Sequence, residues 1–134
     1  NTSPIYESVP LYNINQPKFL NMVLELESTL NPSQLLSLIK NIESSLGRNI
    51  KNSHNLPRCL DIDILAFSNK IINSKSLVIP HPGIIMRKFV LEPWASLDGN
   101  FILVGLNKSI KLLLEQTSDK SELILTTFKV DFKS

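Results

Sequence analysis

Two aspartates, Asp61 and Asp63, stand two residues apart in a stretch that is otherwise apolar from residue 60 to residue 67, and this restricts how the stretch can be buried. In an extended strand, residues i and i+2 share a face and lie roughly 6.5–7 Å apart. Leu60, Ile62 and Ile64 then occupy the opposite face. The spacing predicts a strand over residues 59–67 with paired carboxylates on one side, becoming wholly apolar after Asp63. Like charges this close repel, and each carboxyl tends to keep its proton unless a cation intervenes. Magnesium is the natural cation, a hard ion that takes carboxylate oxygen while keeping water and phosphate ligands. An exposed strand end reads the same way at this level.

The rest of the chain supplies partners for such a strand. With 134 residues, 43% hydrophobic and 19% charged, it suits one compact domain with a packed core. Residues 5–9 read as a short strand and 10–17 as a loop. Residues 18–28 alternate as a half-buried strand. The clearest helix runs over 32–46: Asn31 is the N-cap, Pro32 takes the first position and Gln34 completes a capping box. Leu35, Leu38, Ile39, Ile42 and Leu46 form its expected buried stripe, and Gly47 its left-handed end. Residues 50–56 read as a mobile surface loop. Ser68-Asn69 is a turn, with 70–72 returning as the hairpin partner of the aspartate strand. Residues 77–79 are extended, and helices are expected over 84–95 and 109–117, the first tolerating Pro93 only near its end. A last strand is expected over 123–132. This order is α+β with a largely antiparallel sheet.

Several function classes are excluded or disfavoured. A formal net charge of +2 is too balanced for a nucleic-acid binder or a polybasic membrane protein. No apolar run approaches the roughly 20 residues that span a bilayer, and the first residues do not form a secretory signal. The lone cysteine, Cys59, can make neither an internal disulfide nor a zinc site, which suits a reducing, cytoplasmic setting. Only four glycines occur and no G-x-x-x-x-G-K-[ST] is present, so a Walker-type phosphate loop is ruled out.

Arginine occurs only at Arg48, Arg58 and Arg87. Its planar fork grips phosphate with two hydrogen bonds, although chance or a structural ion pair explains scarce arginines equally well. Two carboxylates for magnesium together with arginines for phosphate oxygens is the equipment of phosphoryl transfer. His81 lies between Pro80 and Pro82, whose rings hold the imidazole in one direction, to meet a phosphate or to pack in a turn. Phe19 and Phe89 are either core residues or the two sides of an aromatic sandwich for a flat ligand. Asn21 could read a heterocycle edge through its paired donor and acceptor.

The segment from Pro57 to Leu65, Pro-Arg-Cys-Leu-Asp-Ile-Asp-Ile-Leu, resembles the P-R-x-[LI]-D-[LI]-D-[IL]-L signature of the 6-hydroxymethyl-7,8-dihydropterin pyrophosphokinases. Three further segments agree in order and spacing: Phe19-Leu20-Asn21, Ile42-Glu43-Ser44-Ser45-Leu46-Gly47-Arg48, and Ile79-Pro80-His81 followed by Arg87-Lys88-Phe89-Val90-Leu91-Glu92-Pro93. The resemblance runs from about Ser3 to Leu97, and all three arginines fall on family positions.

The resemblance implies transfer of diphosphate from ATP, the co-substrate, to the hydroxymethyl group of a reduced pterin in folate synthesis, releasing AMP. It implies a ferredoxin-like antiparallel sheet with helices. Asp61 and Asp63 would bind two magnesium ions. Arg48 and Arg58 would hold phosphates and stabilise charge in transfer. His81 and Arg87 would contact nucleotide phosphates, and Glu43 and Ile64 the adenosine part. Phe19 and Phe89 would stack on the pterin, with Asn21 at its polar edge and Ser8, Pro10 and Leu11 completing the pocket. One carboxylate, Asp63, would also help deprotonate the substrate hydroxyl. Small-molecule substrates are the implied partners, with fusion or association to another folate-pathway enzyme, and no nucleic acid or membrane.

Departures from the pattern lie in the loop before Arg58, where Asn55 replaces an aromatic residue, and at Ile50 and Ser76, positions that are often basic. Lys51, His54 or Lys75 would then serve nucleotide closure. The family's first strand and first helix have no counterpart in the sequence, which reads as a single, N-terminally incomplete domain over residues 1–134. A different reading is a non-catalytic pterin- or nucleotide-binding relative, or a structural part of a larger folate enzyme. Retention of both aspartates argues against it.

Overall fold

A computed structural model describes residues 1–9, 18–48 and 60–131, with the Arg48 side chain outside that set. Expected features at 10–17, 49–59 and 132–134 therefore lie outside the described residues, among them Pro10, Leu11, Arg58, Cys59 and the expected loop over 50–56. The fold is α+β; among the described residues the strand pairings are all antiparallel and there are three α-helices. In chain order the elements are β1 (Tyr6–Ser8), β2 (Phe19–Asn21), α1 (Pro32–Glu43), β3 (Ile72–Asn73), β4 (Val78–Ile79), α2 (Lys88–Asp98), β5 (Ile102–Leu103), β6 (Lys108–Ser109), α3 (Ile110–Gln116) and β7 (Leu123–Leu125). They fall into two compact units, Glu27–His81 and Asn1–Leu26 with Pro82–Ser134. No helix among the described residues is long and apolar enough to cross a membrane.

In the unit Glu27–His81, α1 begins as its sequence dictates. Asn31 Oδ1 accepts the Gln34 N–H at 2.8 Å, and Gln34 Oε1 accepts the Asn31 N–H at 2.9 Å, so two N-terminal donors are satisfied reciprocally. The helix stops at Glu43, short of the expected Leu46. The chain unwinds over Ser44–Arg48, where Gly47 takes φ 112°, a conformation open to glycine and strained for other residues. The expected buried stripe is only partly realised. Ile39 is buried, whereas Leu38, Ile42 and Leu46 are exposed. The packed line runs through Pro32, Ile39 and Glu43, along one flank of the apolar stripe.

Residues 60–67 correct the expected strand, since they form no ladder among the described residues. Their backbone is tied by other groups. Glu43 Oε2 accepts the Ile62 N–H at 3.0 Å, and the Leu65 carbonyl accepts the His81 N–H at 2.8 Å. The alternation of faces survives only in part: Asp61 and Asp63 are exposed and Ile62 and Ile64 half-buried, but Leu60, expected on the face of the isoleucines, is exposed. The turn at Ser68-Asn69 is present, with the Lys70 N–H donated to the Phe67 carbonyl at 3.0 Å. However, the returning strand β3 pairs with β4, Ile72 opposite Ile79 and Asn73 opposite Val78. Ser74 closes that hairpin, its Oγ accepting the Leu77 N–H at 3.2 Å.

In the second unit, β1 is the middle strand of an antiparallel sheet ordered β2-β1-β7. Tyr6 lies opposite Asn21 and Leu125, and Ser8 opposite Phe19 and Leu123. The strand expected over 18–28 is interrupted after Asn21 and resumes as a single bridge, Thr2 to Leu24. The interruption arises because the Ser3 hydroxyl takes the Val23 N–H at 2.9 Å, a side chain standing in for a ladder carbonyl. The last strand likewise ends at Leu125, where the Thr126 hydroxyl bonds to the Ile5 carbonyl at 2.7 Å and receives the Phe128 N–H at 3.3 Å.

The helix expected over 84–95 is split. Ile84–Met86 forms a 3-10 turn, Arg87 is extended at φ −129° and ψ 95°, and α2 then continues to Asp98, well past a buried Pro93. The sequence reading missed the β5-β6 hairpin, whose turn uses Gly105 at φ 91° and Asn107 at φ 55°. Helix α3 starts on Ser109, whose Oγ accepts the Leu112 N–H at 3.1 Å. Helices α2 and α3 pack together around Leu91 and Ile110, both fully buried, and the Trp94 and Phe101 rings stand 5.3 Å apart.

Candidate functional site

The carboxylate-bearing residues belong to the unit Glu27–His81. Helix α1 ends on Glu43, which is only 4% exposed. Its Oε2 holds the Ile62 N–H, and its Oε1 stands 4.0 Å from Lys40 Nζ. Ile62 lies between the two aspartates, so this buried carboxylate fixes the backbone from which Asp61 and Asp63 project. Glu43, the residue expected at the adenosine part, thus also serves as a strut for this backbone. His81 is half-buried beyond the Ile79-Pro80 peptide, which is cis, and its N–H is bonded to Leu65, two residues after Asp63. Ile64 is half-buried beside it. The backbone of Arg48 leaves the turn directly after Gly47.

Two exposed carboxylates separated by one residue present hard oxygen donors suited to magnesium, which characteristically takes one or two carboxylates and completes its shell with water and phosphate. No group of three or more His, Cys, Asp or Glu side chains able to hold a metal occurs among the described residues.

The aromatic residues and Arg87 belong to the other unit. Pairing of β1 with β2 puts Ser8, Phe19, Tyr6 and Asn21 on one face of the sheet, because directly opposed residues share a side. Helix α2 packs on β1 and β2, and the Tyr6 hydroxyl meets Ser96 Oγ at 2.7 Å. The face that carries Ser8, Phe19 and Asn21 is thus the face toward α2. Phe19 is 62% exposed, which argues against a core role. Ser8 Oγ donates to the Phe19 carbonyl at 3.3 Å. At the other end of this layer, the Arg87 guanidinium carbon lies 5.8 Å from the centre of the Phe89 ring, within cation–π range.

Two features here escaped the sequence. One is Gly83: a Cβ built on it would stand 2.8 Å from Arg87 Nε and 2.9 Å from Cζ, so the bare glycine is the seat of the guanidinium. The other is Asp119, which accepts the Lys88 N–H at 2.8 Å from thirty-one residues away. A glycine four residues before an arginine is a weak signal, and nothing in the local sequence joins Asp119 to α2.

Residues 1–99 match the family model described as 7,8-dihydro-6-hydroxymethylpterin-pyrophosphokinase. The folic acid synthesis protein fol1 of Pneumocystis carinii is 42% identical over 118 residues, 88% of this chain and 16% of that protein. A Bacillus subtilis protein named 2-amino-4-hydroxy-6-hydroxymethyldihydropteridine pyrophosphokinase is 42% identical over 95 residues, 71% of this chain and 56% of that protein. A Haemophilus influenzae protein of the same name is 35% identical over 118 residues, 88% of this chain and 72% of its own length. The chain thus spans a small fraction of the fungal relative and little more than half of the Bacillus one.

Proposed function

Because this chain belongs to the 7,8-dihydro-6-hydroxymethylpterin-pyrophosphokinase family, we propose that it transfers diphosphate from ATP to 6-hydroxymethyl-7,8-dihydropterin, releasing AMP. The observation that carries the reading is the exposed pair Asp61 and Asp63 on a backbone held by buried Glu43. Asp61 and Asp63 would hold two magnesium ions, which supply charge neutralisation along the triphosphate. Arg48, Arg58, His81 and Arg87 would grip phosphate oxygens, and their positive charge would meet the negative charge that builds up in transfer. Glu43 and Ile64 would contact the adenosine part. Phe19 and Phe89 would stack on the pterin, Asn21 would read its polar edge, and Ser8, Pro10 and Leu11 would close that pocket. Asp63 would accept the proton of the substrate hydroxyl. The chemistry is displacement by positioning, so the residues that orient the groups matter as much as those that touch them.

A ferredoxin-like sheet, a cytoplasmic setting, and fusion or association with another folate-pathway enzyme complete the proposal. Relatives named as bifunctional folate synthesis proteins support the last of these. The test is formation of AMP and pterin diphosphate from ATP, magnesium and the hydroxymethylpterin, with and without a chelator. Turnover that Asp61→Ala abolishes while pterin binding persists is the expected result. Turnover equal to wild type in that variant would remove the metal role of the aspartates.

A further inference from the structure

We propose that Asp119 is a positioning residue for the Arg87–Phe89 turn, acting through the N–H of Lys88; the inference rests on the function proposed above. The extended Arg87 breaks the chain between the 3-10 turn and α2, and its own side chain caps nothing. The first N–H groups of a helix need acceptors. Here the acceptor comes from a distant segment. Asp119 Oδ2 takes the Lys88 N–H at 2.8 Å, and Thr117, which is buried, donates its hydroxyl to the Ile85 carbonyl at 2.8 Å. The two bonds grip the backbone on either side of Arg87, so they set the direction in which Arg87 and Phe89 leave it.

Asp119 is itself braced. Its Oδ1 accepts the Ser121 N–H at 2.9 Å and the Ser121 hydroxyl, and its own N–H reaches Thr117 Oγ1 at 3.3 Å. The segment then runs into β7, which pairs with β1, the strand that carries Ser8. A carboxylate already seated at the N-terminus of α2 leaves that end unsuited to a phosphate group, so the Arg87 side chain must do the gripping. Residues 117–121 lie beyond the stretch that matches the family model, residues 1–99. The brace comes from the segment that follows α3.

The test compares Asp119→Ala with Ser109→Ala, which removes an N-cap of the same kind from α3. Asp119→Ala should raise the KM for ATP and for the pterin about five-fold, the size of a lost cap, with kcat little changed. Asp119→Asn, which keeps an acceptor oxygen, should recover most of that loss. Ser109→Ala should lower the unfolding temperature comparably and leave both KM values alone. In an Arg87→Ala background, Asp119→Ala should not raise the ATP KM further. In the substrate-free protein, Asp119→Ala should speed exchange of the Lys88 amide and shift the Arg87 Nε–H and Phe89 ring resonances. Unchanged resonances, or equal KM changes in Ser109→Ala, would overturn the proposal. The resonance experiment decides it even if the wild-type chain shows no turnover, an outcome that would count against the proposed activity alone.

Discussion

Glu43 Oε2 accepts the N–H of Ile62 at 3.0 Å, so the last residue of a helix holds the midpoint between two exposed aspartates. The bond explains how a short segment with no ladder partner among the described residues presents two carboxylates in a defined way. A backbone N–H that would otherwise seek a neighbouring strand is satisfied by a side chain.

Replacing Glu43 with alanine should cost about 1–3 kcal/mol, because the Ile62 N–H loses its acceptor in a partly buried setting. Glu43→Gln keeps an acceptor oxygen and should retain most of the stability. Denaturant unfolding of the two variants measures this. Equal stability of alanine and glutamine variants would show that the bond contributes nothing.

Gly83→Ala tests the seat of Arg87. The glycine has φ −89°, which alanine adopts freely, so the backbone tolerates the change. The added Cβ would meet the far end of a flexible side chain, which can move aside. Stability should stay within about 0.5 kcal/mol of wild type, while ATP binds more weakly. Titration calorimetry showing unaltered ATP affinity would separate Gly83 from any part in placing Arg87.

The contact between α2 and α3 should depend on Leu91, which is fully buried. Leu91→Ala should destabilise the protein by about 2–5 kcal/mol through lost burial and a residual cavity. A shift in thermal unfolding smaller than that of an exposed control such as Leu26→Ala would contradict the packing described.

Acid stability should carry the signature of Asp119. Burial, the largest single influence, pushes its carboxyl up. The Ser121 hydroxyl, the Lys88 and Ser121 N–H groups and the Lys88 charge together outweigh burial, so the pKa lies below the ordinary carboxylate value. A depressed folded-state pKa contributes stability that is complete above the unfolded value of about 4 and disappears as pH falls through the folded one. Asp119→Asn should flatten this acid limb. Parallel pH–stability curves for the two proteins would show that Asp119 makes no such contribution.

The capping box at Asn31 and Gln34, the left-handed Gly47 and the alternation of Asp61 and Asp63 against Ile62 and Ile64 were all legible in the sequence. Each depends on residues within a few positions of one another, where backbone preference and side-chain reach decide the outcome. The family was legible for a related reason, since its motifs are short runs of neighbouring residues. Tertiary structure decided the rest. It chose β4 over residues 60–67 as the partner of β3, and let Ser3 and Thr126 hydroxyls end strands that alternation alone would have prolonged. It also made Glu43 a strut, seated Arg87 on Gly83 and brought Asp119 to the start of α2. Every one of those outcomes is a competition for a backbone donor or acceptor, or for space, among groups far apart in the chain, and the winner depends on which groups the fold brings within reach.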